Sequence, residues 1–130
     1  MSKVSFDFDN TISGKEDHID HICQILRNHL AHGDDVVILT ARNPDHDKED
    51  WFKVNCPERV VLMDHLKALG LDHLQVFYTN HEPKGPHAAR LGIKVHYDND
   101  PAEIISCRQH GVIGIPIGEE HSDTTMNTPD

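Results

Sequence analysis

Hydrophobic and polar positions change their period several times along the chain, and each change predicts an element. Lys3-Val4-Ser5-Phe6-Asp7-Phe8-Asp9 alternates apolar and polar, which predicts a strand over residues 3–9. Over residues 16–32, Ile19, Ile22, Cys23, Ile25, Leu26 and Leu30 recur at helical spacing, and Gly33 supplies a stop. Val36-Val37-Ile38-Leu39 is a continuous apolar run of the kind that a parallel sheet buries on both faces. Residues 43–57 are polar and acidic and close on Pro57, which predicts a loop, and a helix is expected from about Pro57 to Leu69, ended by Gly70. A strand follows at Leu74–Tyr78, a short helix at Pro86–Leu91, a strand at Ile93–Tyr97, a helix at Pro101–Gln109 and a strand at Val112–Ile117. Residues 118–130 are polar and carry Ser, Thr, Asn and Pro, the composition of a disordered tail. Strands separated by single helices predict one α/β domain over residues 1–117, a three-layer Rossmann-like fold on a mainly parallel five-stranded sheet. Ligands of such sheets bind beyond the carboxyl ends of the strands, so chemistry is expected there.

Composition narrows the classes of function. A chain of 130 residues suits one domain, which buries roughly two-thirds of its surface without needing a disulfide or a structural metal. Twelve Lys and Arg against 22 Asp and Glu leave a formal charge of −10, which argues against an extended grip on nucleic acid. The 12 histidines would move that charge toward zero near pH ~6. His18 with His21, and His29 with His32, are spaced three apart on the first predicted helix, a spacing that can chelate a transition metal; surface histidines are the plainer reading. Cys23, Cys56 and Cys107 are far apart and form no CxxC pair, so neither a disulfide framework nor a cysteine zinc site is indicated. The chain opens on Met1-Ser2-Lys3 without a signal-peptide core and has no apolar stretch approaching ~18 residues. A cytoplasmic location is therefore expected (the host's, for a viral gene), with no membrane partner.

The strand ends carry the candidate chemistry. In Asp7-Phe8-Asp9-Asn10-Thr11, two carboxylates close together repel unless a cation or a proton relieves them. A solvated turn is the bland alternative. Thr40-Ala41-Arg42 offers a hydroxyl and a guanidinium suited to one phosphate, or a threonine that serves only local backbone groups. Lys84, at a helix entrance, is placed to neutralise an anion, although lysines there are commonly just solvated. In Asp98-Asn99-Asp100-Pro101, Asp100 suits a helix N-cap before a proline, which leaves Asp98 unexplained.

Acid pair, hydroxyl, lysine and acidic cluster at four successive strand ends follow the order of the haloacid dehalogenase (HAD) superfamily, and residues 3 to about 105 resemble a small HAD-type phosphatase. The resemblance implies a Mg2+-dependent phosphomonoesterase that works through an aspartyl-phosphate. Asp7 resembles the nucleophile and Asp9 the general acid/base; Thr40 and Lys84 resemble the phosphate-holding pair, with Thr11 and Arg42 as further substrate-binding residues. Mg2+ would take oxygen ligands from the Asp7 carboxylate, the Asp9 backbone carbonyl and Asp98. The family's last motif often has two adjacent aspartates; here the middle position is Asn99, and whether Asn99 or Asp100 adds the further contact stays open.

Only one helix fits between Thr11 and Val36, and residues 43–73 hold a loop and a helix, so no full cap domain is expected. The loop over residues 43–56 is a candidate small lid, and its Trp51 is a candidate for stacking on a nucleobase, with a packing anchor as the plainer role. The chain is similar to phage and bacterial members near the polynucleotide phosphatase and nucleotidase branches, which implies a nucleotide or a nucleic-acid terminal phosphate as substrate. Two alternatives compete: a catalytically silent HAD-like module that binds metal or phosphate, and a receiver-like phospho-acceptor domain. The second lacks a suitable aspartate at the end of the second or third strand.

Overall fold

Val36, Val37, Ile38 and Leu39 are almost wholly withdrawn from water, and the strand they form lies inside a sheet covered on both faces. The structure, a computed structural model, describes residues 2–14, 16–44 and 61–117. Within them, strands β1 (Lys3–Phe6), β2 (Asp35–Thr40), β3 (Gln75–Tyr78), β4 (Val95–Asp98) and β5 (Ile113–Pro116) form one sheet in the order β3-β2-β1-β4-β5. Every pairing is parallel. Parallel neighbours need crossovers, and the described helices are α1 (Glu16–Ala31), α2 (Leu62–Ala68), α3 (Lys84–Arg90) and α4 (Pro101–Gln109). This is the expected α/β Rossmann-like architecture.

Alternation along β2 divides the core. Val36 and Ile38 join the cluster that contains Ile22 and Leu26 of α1 and Leu62 and Leu66 of α2. Val37 and Leu39 join the opposite cluster, with Ala88 of α3 and Cys107 of α4. No helix among the described residues is long and apolar enough to cross a membrane.

The first strand is shorter than its alternation predicts. Its last rung is the Asp7 amide donating to the Tyr97 carbonyl at 2.9 Å. Phe8–Ile12 then forms a wide helical turn, with Asn10 at φ 58° and both Phe8 and Ile12 fully buried. Turning there lets both side chains enter the core, which continued extension would forbid. The third helix starts at Lys84 rather than Pro86, and the fourth strand runs through Asp98. Beyond Pro44, the expected loop with Trp51 and the expected start of the second helix lie outside the described residues, as does the expected tail over residues 118–130.

Sheet order positions the site. From β1 the chain moves outward through β2 to β3, then returns to the other side of β1 as β4. The carboxyl ends of β1 and β4 therefore flank the topological switch, where open α/β sheets leave a crevice.

Candidate active site at the strand switch

Lys84 is the first residue of α3 and is only 2% exposed. Its Nζ donates to Asp7 Oδ1 and to Asp98 Oδ2, each at 2.6 Å. Helix α4 holds the first turn of α3 in this orientation. The Lys84 amide donates to Glu103 Oε1 at 3.0 Å, and the Gly85 amide donates to Ser106 Oγ at 3.0 Å. Only glycine permits that approach, because a Cβ at position 85 would lie 2.2 Å from the Ser106 carbonyl oxygen.

Asp7 follows β1 directly. Its Oδ2 accepts from Thr11 Oγ1 at 3.1 Å, so the turn after the strand orients the carboxylate. Asn99, with its amide nitrogen turned inward, donates to Asp7 Oδ2 at 2.8 Å and to the Asp9 carbonyl at 3.1 Å. On β4, Asp98 Oδ2 also accepts from His96 Nε2 at 2.7 Å, and Oδ1 accepts from the Asp100 amide at 3.0 Å. His96 is fully buried, and its Nδ1 lies 2.6 Å from Ser5 Oγ.

The two carboxylates titrate apart. Burial pushes Asp7 up to about 7, and the Asp98 charge adds to the rise against the opposing pull of Lys84. Burial also opposes ionisation of Asp98, but the His96 hydrogen bond and the Lys84 charge outweigh it and hold the carboxyl below its ordinary range. The two acids reverse the effect of burial on Lys84 and raise its pKa. Burial lowers His96, so the imidazole is neutral near pH 7. Two carboxylates around one ammonium thus carry one excess negative charge, and Asp7 is the group that takes a proton to remove it.

The Asp9 side chain pairs with Arg42. Arg42 Nε donates to Asp9 Oδ2 at 3.0 Å and its terminal nitrogen to Oδ1 at 2.7 Å, a two-pronged grip. The guanidinium lies 4.8 Å from the centre of the Phe8 ring. Thr40 is buried, and its Oγ1 accepts from the Arg42 amide at 3.2 Å. Above these groups opens a cavity of about 440 Å3 whose walls include Asp7, Asp9, Arg42, Lys84, Asp98 and Asn99.

The structure therefore brings Asp7, Lys84, Asp98, Asn99 and the Asp9 carbonyl together. Thr11 and Thr40 support Asp7 and Arg42 and are not among the described walls of the cavity. Asp100 accepts from the Ala102 amide at 3.0 Å, the N-cap role expected of it, while also bordering the cavity. Of the histidine pairs expected on the first helix, His29 bridges Asp34 and Tyr97, and His32, just past the end of α1, bonds the Asn28 carbonyl at 2.7 Å. Ser5 and His96 are functional candidates that the motif pattern passed over. Their signal was present: each is a polar residue in a buried strand, two positions before a site aspartate and on the same face.

No group of three or more His, Cys, Asp or Glu side chains among the described residues is arranged to hold a metal ion. The donor set that does converge mixes side chain and backbone: the Asp7 and Asp98 carboxylates and the Asp9 main-chain carbonyl. These are hard oxygen donors in a site with excess negative charge, which fits Mg2+ in chemistry. Comparison of the chain with protein-family models, with curated proteins and with solved structures finds no match.

Proposed function

We propose that this chain is a Mg2+-dependent phosphomonoesterase of haloacid dehalogenase type, with Asp7 as its nucleophile. The observation that carries the reading is the buried Lys84 ammonium, 2.6 Å from both Asp7 and Asp98 at the strand switch. Burying three charged groups is costly, and they lie under an open polar cavity where a merely structural core would be apolar.

In the proposed reaction an Asp7 carboxylate oxygen attacks the substrate phosphorus. The new bond forms as the bond to the leaving oxygen breaks, and Asp9 supplies that oxygen with a proton. Water, deprotonated by Asp9, then attacks the phosphorus of the aspartyl-phosphate and releases phosphate with the Asp7 carboxylate restored. Lys84 holds Asp7 in place and lowers the repulsion between carboxylate and phosphate. Asp9 begins in the grip of Arg42, through two charge-assisted hydrogen bonds. A phosphate in the cavity competes for the same guanidinium; its capture by Arg42 releases Asp9, which takes a proton from solvent and passes it to the leaving oxygen. Mg2+, held by Asp7, the Asp9 carbonyl and Asp98, would neutralise the phosphate charge that otherwise opposes attack by an anion.

The proposed substrate is a nucleotide or a nucleic-acid terminal phosphate, acted on in the cytoplasm. The −10 charge supports short contact with one end rather than a grip along a strand. Phosphate release from p-nitrophenyl phosphate, with and without Mg2+, tests the activity, with Asp7→Asn as control. Turnover that needs Mg2+ and vanishes in the variant is expected. The Arg42 grip on Asp9 favours one second reading, a silent module that binds Mg2+ and phosphate. Binding of both without turnover of p-nitrophenyl phosphate or of any nucleotide and phosphorylated oligonucleotide tested would select it.

A further inference from the structure

We infer that Ser5 and His96 form a buried hydrogen-bond relay that positions the Asp98 carboxylate, making His96 a positioning residue of the metal site; this rests on the phosphatase reading above. Ser5 on β1 and His96 on β4 are register partners in the sheet. Residues two apart on a strand share a face, so the pair lies directly behind Asp7 and Asp98. The links are short: Ser5 Oγ to His96 Nδ1 is 2.6 Å, and His96 Nε2 to Asp98 Oδ2 is 2.7 Å.

Packing alone does not account for an imidazole there. The neighbouring core on this side is built from Val37, Leu39, Ala88, Ile93, Cys107 and Val112. A buried imidazole is tolerated in such a place only when both nitrogens have partners, and both do. Nor is the trio a hydrolytic one, because Ser5 is fully buried and no substrate reaches its hydroxyl.

The direction of each hydrogen bond follows from its end point. Asp98 Oδ2 is an acceptor, so Nε2 carries the imidazole hydrogen. Nδ1 is then the acceptor, and the Ser5 hydroxyl donates to it. Ser5 thereby selects the tautomer that presents a donor to Asp98. With Lys84 also on Oδ2 and the Asp100 amide on Oδ1, three of the carboxylate's roughly four acceptor sites are filled. The relay thus fixes the carboxylate plane and leaves one acceptor site, on Oδ1, for a cation in the cavity.

The test uses the full chain and its Ser5→Ala, His96→Gln and His96→Leu variants. Mg2+ affinity is measured by calorimetric titration with MgCl2, the His96 tautomer by imidazole 15N NMR, and folding by cooperative thermal unfolding. The wild-type protein is expected to show the hydrogen on Nε2. His96→Leu is expected to weaken Mg2+ binding about 10–100-fold, the usual scale for a lost second-layer partner. His96→Gln, which keeps a donor for Asp98, should recover most of that loss. Ser5→Ala should shift the tautomer balance and weaken Mg2+ in the same direction. The KM for a phosphate ester at saturating Mg2+ should stay unchanged. Equal Mg2+ affinity in all four folded proteins overturns the relay and leaves the phosphatase reading standing. If His96→Leu does not fold, Ser5→Ala decides: unchanged tautomer and unchanged Mg2+ affinity overturn the relay. Absence of both Mg2+ binding and turnover in the wild-type protein overturns the phosphatase reading, and the relay with it.

Discussion

Replacing Lys84 by methionine removes the charge at the centre of the site while keeping a side chain of similar length. Lys84 is 2% exposed and donates to two buried carboxylates at 2.6 Å, so solvent screens neither contact. Removing one partner of a buried ion pair costs about 3–5 kcal/mol, because the opposite charge stays buried without compensation. For a domain of this size that corresponds to a fall in Tm of roughly 10–20 °C. The loss should also depend on pH. Asp7 already titrates at about 7, well above its ordinary value, and without Lys84 both acids titrate higher still. The folded variant then holds protons that its unfolded chain releases, so its stability falls more steeply than wild type as pH rises from about 5 to 8. Urea denaturation in EDTA at pH 5 and pH 8 measures this, and the cost should be the smaller at pH 5. Asp7→Asn in the Lys84→Met background removes one uncompensated charge and should restore at least about 1.5 kcal/mol. A cost below about 1 kcal/mol at pH 8, or one that ignores pH, would refute a buried charge triad.

Three further outcomes follow from the same geometry. Gly85→Ala places a Cβ 2.2 Å from the Ser106 carbonyl oxygen, an unyielding backbone atom, so α3 and α4 must separate at a cost of about 1–3 kcal/mol or more. An unchanged urea midpoint would refute the close approach. In the proposed phosphatase, Arg42→Lys keeps the charge but loses the planar fork that holds two oxygens, and kcat/KM should fall at least about tenfold. Wild-type kinetics in that variant would show that Asp9 and phosphate do not share the guanidinium. In EDTA, the raised Asp7 pKa means the folded protein binds a proton that the unfolded chain releases, so this group's stability contribution is full below about pH 4 and is lost as pH rises through about 7. Stability curves of wild type and Asp7→Asn should therefore diverge over that interval, and parallel curves would refute the shift.

Much of the fold was legible because strand and helix periods are local properties. The buried run Val36–Leu39 announced an interior parallel strand, and β2 lies covered by apolar clusters on both faces. Candidate chemistry was legible for a related reason. The segments after β1, β3 and β4 are short, so residues just after those strands stay near the sheet's carboxyl edge whatever the packing. Asp7, Lys84 and Asp98 needed only that placement to converge. The boundary after Phe6 was not legible, because Asp7-Phe8-Asp9 continues the alternation by composition while Phe8 and Ile12 are drawn into the core together.

What the chain determined by itself was the α/β alternation and the set of charged residues delivered to one edge of the sheet. Tertiary structure alone decided how those charges pair. Asp9, which lines the same cavity as Asp7, meets Arg42, 33 positions away. Ser5 reaches His96 across 91 positions, and Lys84 reaches Asp7 across 77. Ionisation follows these contacts: a carboxylate's charge depends on burial and on neighbours within a few ångströms, and both exist only once β1 and β4 lie side by side.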